Sequence, residues 1–398
     1  MIEKAVAGAN TLTARWAETF SADASAAVSG AGVWPLLAYL ASAADGDGRA
    51  ELAAAVGLPA EDAPEAATAL LGLLRAAPAL RAALGVWFHP DVPVREQWLR
   101  TVPAGSIGVL TDGALAAWTR EQVGDLLECP PAPDGPEELL VLATVLTVRT
   151  TWKEPFEHDV ISGQQGPWAR RRLAGLKRAS ADRDQLAVYD TAAGRISVLS
   201  VEGSDDITVD ILLGAEDAPA GAVLAAGISA PATLTPVRLG SQLTAQDQAP
   251  GVSIGHYHRT AEPQLFSYLP RFDVDSAPDL LAFADLFGLR TVSDRSRQRF
   301  PGMSESPLAV GAAKQSLTAS FTALGFEAAV ATRVSLAGGS FSPTVPPNVC
   351  FTVERPFGFA ARHRPTGLVL VAGWVADGVD YVTPPEDLVD MSFLELRT

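Results

Sequence analysis

The sequence predicts an α+β fold with large β-sheets in one domain, residues 1–398. Three observations predict it. Helix-period segments crowd the first third of the chain, and strand-period segments fill most of the rest. Residues 139–151 (LLVLATVLTVRTT) are almost continuously apolar, as in a strand covered on both faces. Residues 325–336 (GFEAAVATRVSL) alternate strictly: Phe326, Ala328, Val330, Thr332, Val334 and Leu336 on one face, Glu327, Ala329, Ala331, Arg333 and Ser335 on the other. That period of two belongs to a half-buried strand.

Element by element, residues 10–20 place apolar side chains at helical spacing behind Asn10, a possible N-cap. Residues 33–44 and 49–56 read as two helices joined by a DGDG turn, and residues 65–84 as a long Ala/Leu-rich helical region. LGVWF at 84–88 is short, apolar and aromatic, a strand; residues 115–127 return to helical spacing. After the 139–151 strand, residues 195–201 and 207–213 form two strands around the turn EGSDD. Residues 266–274 alternate as a strand, and 279–289 form an amphipathic helix with Gly288 near its end. Residues 313–322 alternate and lead into 325–336. Residues 349–352, 358–362 and 368–376 are the closing strands.

Net charge is −16, which argues against nucleic acid as a partner, because phosphate binding needs concentrated Lys and Arg. The basic run Arg170, Arg171, Arg172, Lys177 and Arg178 reads as a solvated face, with polyanion binding as the alternative. Cys129 and Cys350 are too few and too far apart for a disulfide framework, and read as small buried apolar residues. The N-terminus carries no apolar signal-peptide core and no apolar run reaches ~18 residues, so a cytoplasmic chain with no membrane partner is expected. High alanine, with arginine favoured over lysine, points to a GC-rich bacterial genome.

Enzyme signatures are missing: there is no GxSxG elbow, HExxH, Walker A or GxGxxG opening a helix. His256 and His258 share a strand face, but no neighbouring Cys or acid completes a metal site. Asp273 and Asp275 also share a face and read as solvated carboxylates; His363, in RHRPTG, reads as a capping or packing residue. No catalytic residue, metal or cofactor is expected. What remains is the alternating segment followed by AGGSFSPTVPPN at 337–348, whose glycines, serine and prolines form an exposed loop that cannot pair as a central strand.

That segment resembles the hinge and reactive-centre loop of the serpin family. Gly325, Glu327, Ala328, Ala329, Ala331 and Thr332 match the hinge, with Val330 inside it. Ala323 and Leu324 stand where the family has acids, and Phe326 where it has Thr or Ser. The resemblance runs over most of the chain. VWPLLAYLASAADGDGRAELAAAVG from Val33 resembles the family's early Ser-Pro-Leu turn into a helix, here at Pro35, with Trp34 and Leu37 replacing serines. Thr151, Trp152, Lys153, Pro155 and Phe156 match the end of its central-sheet strand. YLPRFDVDSAPDLLAFADLFGL from Tyr268 matches a Leu-Pro-Arg-Phe strand and following helix. Phe351, Glu354, Pro356, Phe357, Pro365, Thr366, Gly367 and Gly373 match the final strands.

The resemblance implies a large central β-sheet, further β-sheets and about eight or nine helices, in a monomeric, bacterial-type inhibitor of a serine protease with an exposed reactive loop at about residues 325–348. The protease attacks a loop bond and forms an acyl-enzyme; the hinge then inserts into the central sheet as a new strand and distorts the enzyme. Inserting the alternating face would release on the order of 10 kcal/mol, at roughly 1 kcal/mol per ladder bond and about 25 cal/mol per Å² of apolar burial. The family spacing counted from Gly325 lands on Gly339–Ser340; counted back from Phe351 it lands on Phe341–Ser342. Phe341–Ser342 suits a chymotrypsin- or subtilisin-like enzyme; Leu336–Ala337 is a third choice. Thr144 replaces the family's Asn and Gln315 its His in the region that lets the sheet open. The two are expected to form a polar pair there, near Pro35. Phe326, bulky at the first inserting position, either slows entry or meets a pocket. The alternative function is a non-inhibitory serpin acting as a substrate-like binding or chaperone module.

Overall fold

A computed structural model describes residues 1–103, 105–123, 138–163, 166–256, 260–326 and 347–382. Among them the helices are α1 (Ile2–Ala17), α2 (Gly30–Ala43), α3 (Gly46–Val56), α4 (Ala63–Ala76), α5 (Glu96–Leu99), α6 (Ala114–Val123), α7 (Ala220–Thr233) and α8 (Ala284–Phe287). The strands are β1 (Ala26–Val28), β2 (Leu80–Phe88), β3 (Ile107–Val109), β4 (Leu140–Val148), β5 (Thr150–Thr151), β6 (Glu157–Ser162), β7 (Arg172–Ser180), β8 (Leu186–Thr191), β9 (Gly194–Glu202), β10 (Ile207–Leu213), β11 (Arg238–Leu239), β12 (Val252–Gly255), β13 (Leu265–Pro270), β14 (Phe272–Ser276), β15 (Ala312–Phe321), β16 (Gly325–Phe326), β17 (Asn348–Thr352), β18 (Phe357–His363) and β19 (Leu368–Val375).

They make three sheets, so the α+β expectation holds. One has the order β1-β19-β18-β10-β9-β8-β11 and a second β12-β17-β13-β7-β6. The third runs β3-β2-β4-β15-β16-β5, with β14 also paired to β15. The apolar run at 140–148 is β4, buried on both faces: β2 and β15 flank it, α2 lies behind it and α6 in front. Trp118 of α6 meets Trp87 of β2 edge-on, with ring centroids 5.9 Å apart. Helices α1, α2 and α4 pack together behind the sheets and bury Trp16, Trp34, Tyr39 and Leu70 completely. No helix among the described residues is long and apolar enough to cross a membrane.

Several sequence expectations need correction. Helix α1 starts at Ile2, and Asn10 lies inside it instead of capping it. Its amide donates to Gly367 O at 2.9 Å and its Oδ1 accepts from Val369 N at 2.8 Å, so it is spent on joining α1 to the β18–β19 hairpin. The helical region at 65–84 ends at Ala76, and 80–88 is all strand, because Leu80 to Phe88 zip antiparallel onto β4. The strand expected at 266–274 is two strands broken at Arg271: β13 belongs to the five-stranded sheet and β14 pairs with β15. The helix expected at 279–289 is a 3₁₀ turn at Leu280–Phe283 plus the single turn of α8, ended by Gly288 at φ 66°. Pro35 does not mark a turn into a helix. It lies inside α2, whose N-cap is Ser29.

Candidate functional site

Strand β15 is the frame of the site. Its first half pairs parallel with β4, from Ala312 opposite Val141 to Ser316 opposite Val145. Beyond Ser316 the two strands no longer face each other. The chain turns at the end of β15 and returns as β16, with Phe326 opposite Phe321 on one side and Thr150 on the other, and Gly325 opposite Thr151. The first two hinge residues therefore form a strand between β15 and β5. The hinge residues Glu327, Ala328, Ala329, Val330, Ala331 and Thr332 lie outside the described residues, as do the candidate bonds Phe341–Ser342, Gly339–Ser340 and Leu336–Ala337.

The turn that feeds β16 is gripped from below. Trp152 donates from Nε1 to Thr322 O and from its backbone N to Leu324 O, both at 2.9 Å, and Phe156 N donates to Ala323 O at 2.8 Å. A Cβ on Gly325 would lie 2.2 Å from Thr150 O, so only glycine fits between the strands. Phe326 is 2% exposed, with its ring 6.1 Å from that of Phe359. From there a chain of rings continues: Phe359 to Phe272 at 4.9 Å, Phe272 to Phe321 at 5.4 Å and Phe321 to Trp152 at 4.7 Å. Pairs of this kind add about 0.5–1.5 kcal/mol each beyond area burial. The bulky Phe326 thus has a pocket.

Polar groups frame this aromatic wall. The Arg178 guanidinium sits 4.5 Å over the Phe156 ring and donates to Glu154 O at 3.2 Å and Gln185 Oε1 at 2.7 Å; burial pushes its pKa down from the usual arginine value. Behind β5, Lys153 pairs with Glu202 at 2.7 Å, and that hydrogen bond holds the Glu202 carboxyl below its ordinary pKa. Thr150 Oγ1 donates to Ser204 O at 2.9 Å, which ties β5 to the β9–β10 turn.

Lower in the sheet, Thr144 and Gln315 are register partners but form no polar pair. Gln315 turns away to Ser29: its Oε1 accepts from Ser29 N and its Nε2 donates to Ser29 O, both at 2.9 Å. Thr144 is left 4% exposed, with no hydrogen-bond partner for its hydroxyl among the described residues. Ser29 is the hub the sequence reading missed. Its Oγ accepts from Gly32 N at 3.0 Å and donates to Leu370 O at 2.5 Å, so one residue joins α2, β15 and β19. The available signal was a serine directly before an apolar helical run, an N-cap pattern. A Cβ on Gly32 would come within 3.1 Å of Gln315 Nε2, so glycine there leaves room for the amide.

The other candidates have local roles. Asp273 accepts from Ser320 Oγ at 2.6 Å and Asp275 from Thr318 Oγ1 at 2.8 Å, so these carboxylates tie β14 to β15. His363 bonds Thr366 Oγ1 at 2.9 Å. The basic run is solvated except at Arg178, and most of its charges have partners. Arg171 pairs with Asp377 and Asp380, Arg172 stacks over Tyr381, Lys177 reaches Glu157 at 3.7 Å, and Arg178 is buried. His256 is exposed, and no group of metal-binding side chains occurs among the described residues; His258 and Cys129 lie outside them.

Comparison with known proteins agrees with this architecture. The family model described as serpin (serine protease inhibitor) matches residues 240–378. No curated protein sequence matches the chain. Among solved structures, native protease nexin-1 with heparin superposes with a TM-score of 0.71 at 16% identity, covering 94% of this chain and 99% of that one. Serpin48 of the insect Tenebrio molitor gives 0.67 at 19% identity, covering 94% and 98%. The thyroxine-binding globulin complex with thyroxine gives 0.69 at 14% identity, covering 95% and 99%.

Proposed function

From a chain that has the serpin fold, and the serpin family's sequence pattern over residues 240–378, we propose a suicide-substrate inhibitor of a serine protease of the chymotrypsin or subtilisin type. The observation that carries the reading is the seating of Gly325 and Phe326 between β15 and β5. Insertion needs a nucleus, and here it exists: Phe326 is already buried and paired on both sides. Extending β16 along β15 then needs only the separation of β4 from β15 over the short parallel ladder from Ala312 to Ser316. Each parallel pair lost is replaced by antiparallel pairing on both sides of the new strand.

In this mechanism the protease acylates at a loop bond, with Phe341–Ser342 favoured and Gly339–Ser340 as the alternative. The freed hinge zips downward from Phe326, drawing Ala328, Val330 and Thr332 onto one face of the sheet. The chain itself supplies no catalytic group; its work is mechanical. A cytoplasmic, monomeric protein acting without cofactor, nucleic acid or membrane completes the proposal.

The test is incubation with chymotrypsin or subtilisin, followed by a denaturing gel and mass spectrometry of the fragments. The expected result is a complex that survives SDS and one cleavage between residues 339 and 342. Clean cleavage with no complex and no gain in Tm supports the second reading, a non-inhibitory binding or chaperone module. One observation favours that reading: Gln315 is locked to Ser29 and Thr144 is unpartnered, so the sheet-opening region is built differently from the family pattern.

A further inference from the structure

Strand β7 loses a neighbour before it ends. β13 runs beside it from Leu265 opposite Ser180 to Pro270 opposite Gly175, then leaves at Arg271 to become β14 in the seven-stranded sheet. Arg172, Leu173 and Ala174 keep β6 on one side. The C-terminal segment takes the other. Asp380 lies antiparallel opposite Leu173, Ala174 N donates to Val379 O at 2.8 Å, and Tyr381 N donates to Arg172 O at 2.9 Å. Residues 379–382 lie beyond the stretch that matches the serpin pattern, which ends at residue 378.

Side chains latch this segment to the β6–β7 hairpin. Arg171 donates to both Asp377 and Asp380, reaching Asp380 Oδ1 at 2.7 Å from Nη2 and 3.3 Å from Nε. The Arg172 guanidinium sits 4.9 Å from the centre of the Tyr381 ring, and Trp168 Nε1 donates to Ala376 O at 3.0 Å. Glycine at 378 lets the chain lie close: a Cβ there would come within 2.9 Å of Leu173 Cδ1. The segment also meets the corner itself. Arg271 N donates to Ala174 O at 2.8 Å, and Val379 N to Arg271 O at 3.4 Å. One short segment therefore touches both β7 and the residue at which its neighbour turns away.

We propose that residues 377–381 form a releasable strap, latched by Arg171, that holds β7 to the corner where the chain passes from the five-stranded to the seven-stranded sheet. The grip is shallow. The Arg171 side chain is 32% exposed, and those of Asp377 and Asp380 are 66% and 72% exposed. Ion pairs this exposed are weak and are screened by salt. A few main-chain bonds are left to offset the entropy of ordering the segment. Ionic strength is therefore the control: the latch is closed in dilute buffer and open in concentrated salt. Strand β4, paired with β2 and β15, does not follow it. The strap works without a protease, whether or not the chain inhibits one.

The test is residue-level hydrogen exchange on the full chain in about 0.05 M and about 1 M NaCl, with β4 amides as the reference. In the parent, the amides of Ala174, Tyr381 and Arg271 should exchange at least about fivefold faster in the higher salt, and those of β4 at an unchanged rate. Arg171→Gln should show the fast rates already in dilute buffer and respond little to salt. Arg271 is the decisive amide, because it belongs to the corner and not to the tail. If Ala174 and Tyr381 quicken while Arg271 keeps its rate, the tail is a passive cover and the strap is refuted. If none of the three responds to salt in the parent, the segment is not releasable. If Arg171→Gln stays as protected and as salt-sensitive as the parent, Arg171 is not the latch. Should Arg171→Gln fail to fold, Asp380→Asn weakens the same latch from its exposed side and must move the same three rates in the same direction.

Discussion

Gln315 holds Ser29 by both main-chain groups, accepting from its N and donating to its O, each at 2.9 Å. The side chain is 1% exposed and Ser29 is completely buried, so neither partner has water as a substitute. Through Ser29 the grip reaches the first turn of α2 and, by way of Leu370, β19. Strand β15 is thereby fastened to the helix behind its sheet.

Gln315→Ala leaves the buried N–H of Ser29 unpaired, at about 1–3 kcal/mol, while Ser29 O keeps Val33 N at 3.3 Å. For a chain of this length the expected fall in native Tm is about 1–4 °C. Cleaved protein, in which the new strand stiffens the sheet, should fall less. Scanning calorimetry on intact and cleaved variant measures both, and an unchanged intact Tm would show that the grip contributes nothing.

Thr144 makes the opposite forecast from the neighbouring strand. Its hydroxyl is buried and unpartnered, so Thr144→Val removes a desolvated group at nearly constant volume. The native form should gain about 1 kcal/mol, or about 1 °C. A loss of that size instead would mean that the hydroxyl is satisfied in the native protein.

How much of this was legible beforehand depends on whether local pattern or tertiary contact decided the outcome. The β4 run and the β9–β10 hairpin were readable because burial on both faces and a tight turn are written in consecutive residues. The ends of elements were not. Leu80 to Ala83 read as helix until pairing with β4 claimed them, and Asn10 read as a cap until Gly367 and Val369 used its side chain. At the site, the glycine and small residues of the hinge were visible in the sequence. The partners that decide its behaviour are distant: Phe359 lies in β18, and Ser29 is separated from Gln315 by most of the chain. Strand β12 was missed because its four residues carry a weak apolar pattern, and their value comes from the edge they cover.

His363 predicts a pH dependence. The ring is 9% exposed and bonds Thr366 at 2.9 Å. Burial, reinforced by Arg364 and opposed by Asp206, pulls its pKa below the usual 6.5. Between the folded and unfolded values the unfolded chain binds more proton, so stability rises with pH through that window. The contribution is complete above about pH 6.5–7 and is lost as pH falls below the unfolded value near 6.5. Native Tm should therefore drop more between pH 7.5 and pH 5.5 in the parent than in His363→Gln; parallel curves would refute the assignment.

Phe326→Thr restores the residue type expected of the family at this position, and the geometry predicts that it harms the protein. Overpacking is not the problem: the ring already lies in a pocket beside Phe359, and its backbone is paired on both sides. Removing it resembles a core Phe→Ala change, at about 3–5 kcal/mol. The native Tm should fall by about 4–6 °C. Amide exchange at Gly325 and Phe326 should quicken, because the strand loses the side chain that seats it. With the nucleus weakened, insertion starts later relative to deacylation. A larger share of the variant should then leave as cut product, with less SDS-stable complex formed against chymotrypsin or subtilisin. Threonine giving more complex at an unchanged Tm would show that the pocket does not anchor the hinge.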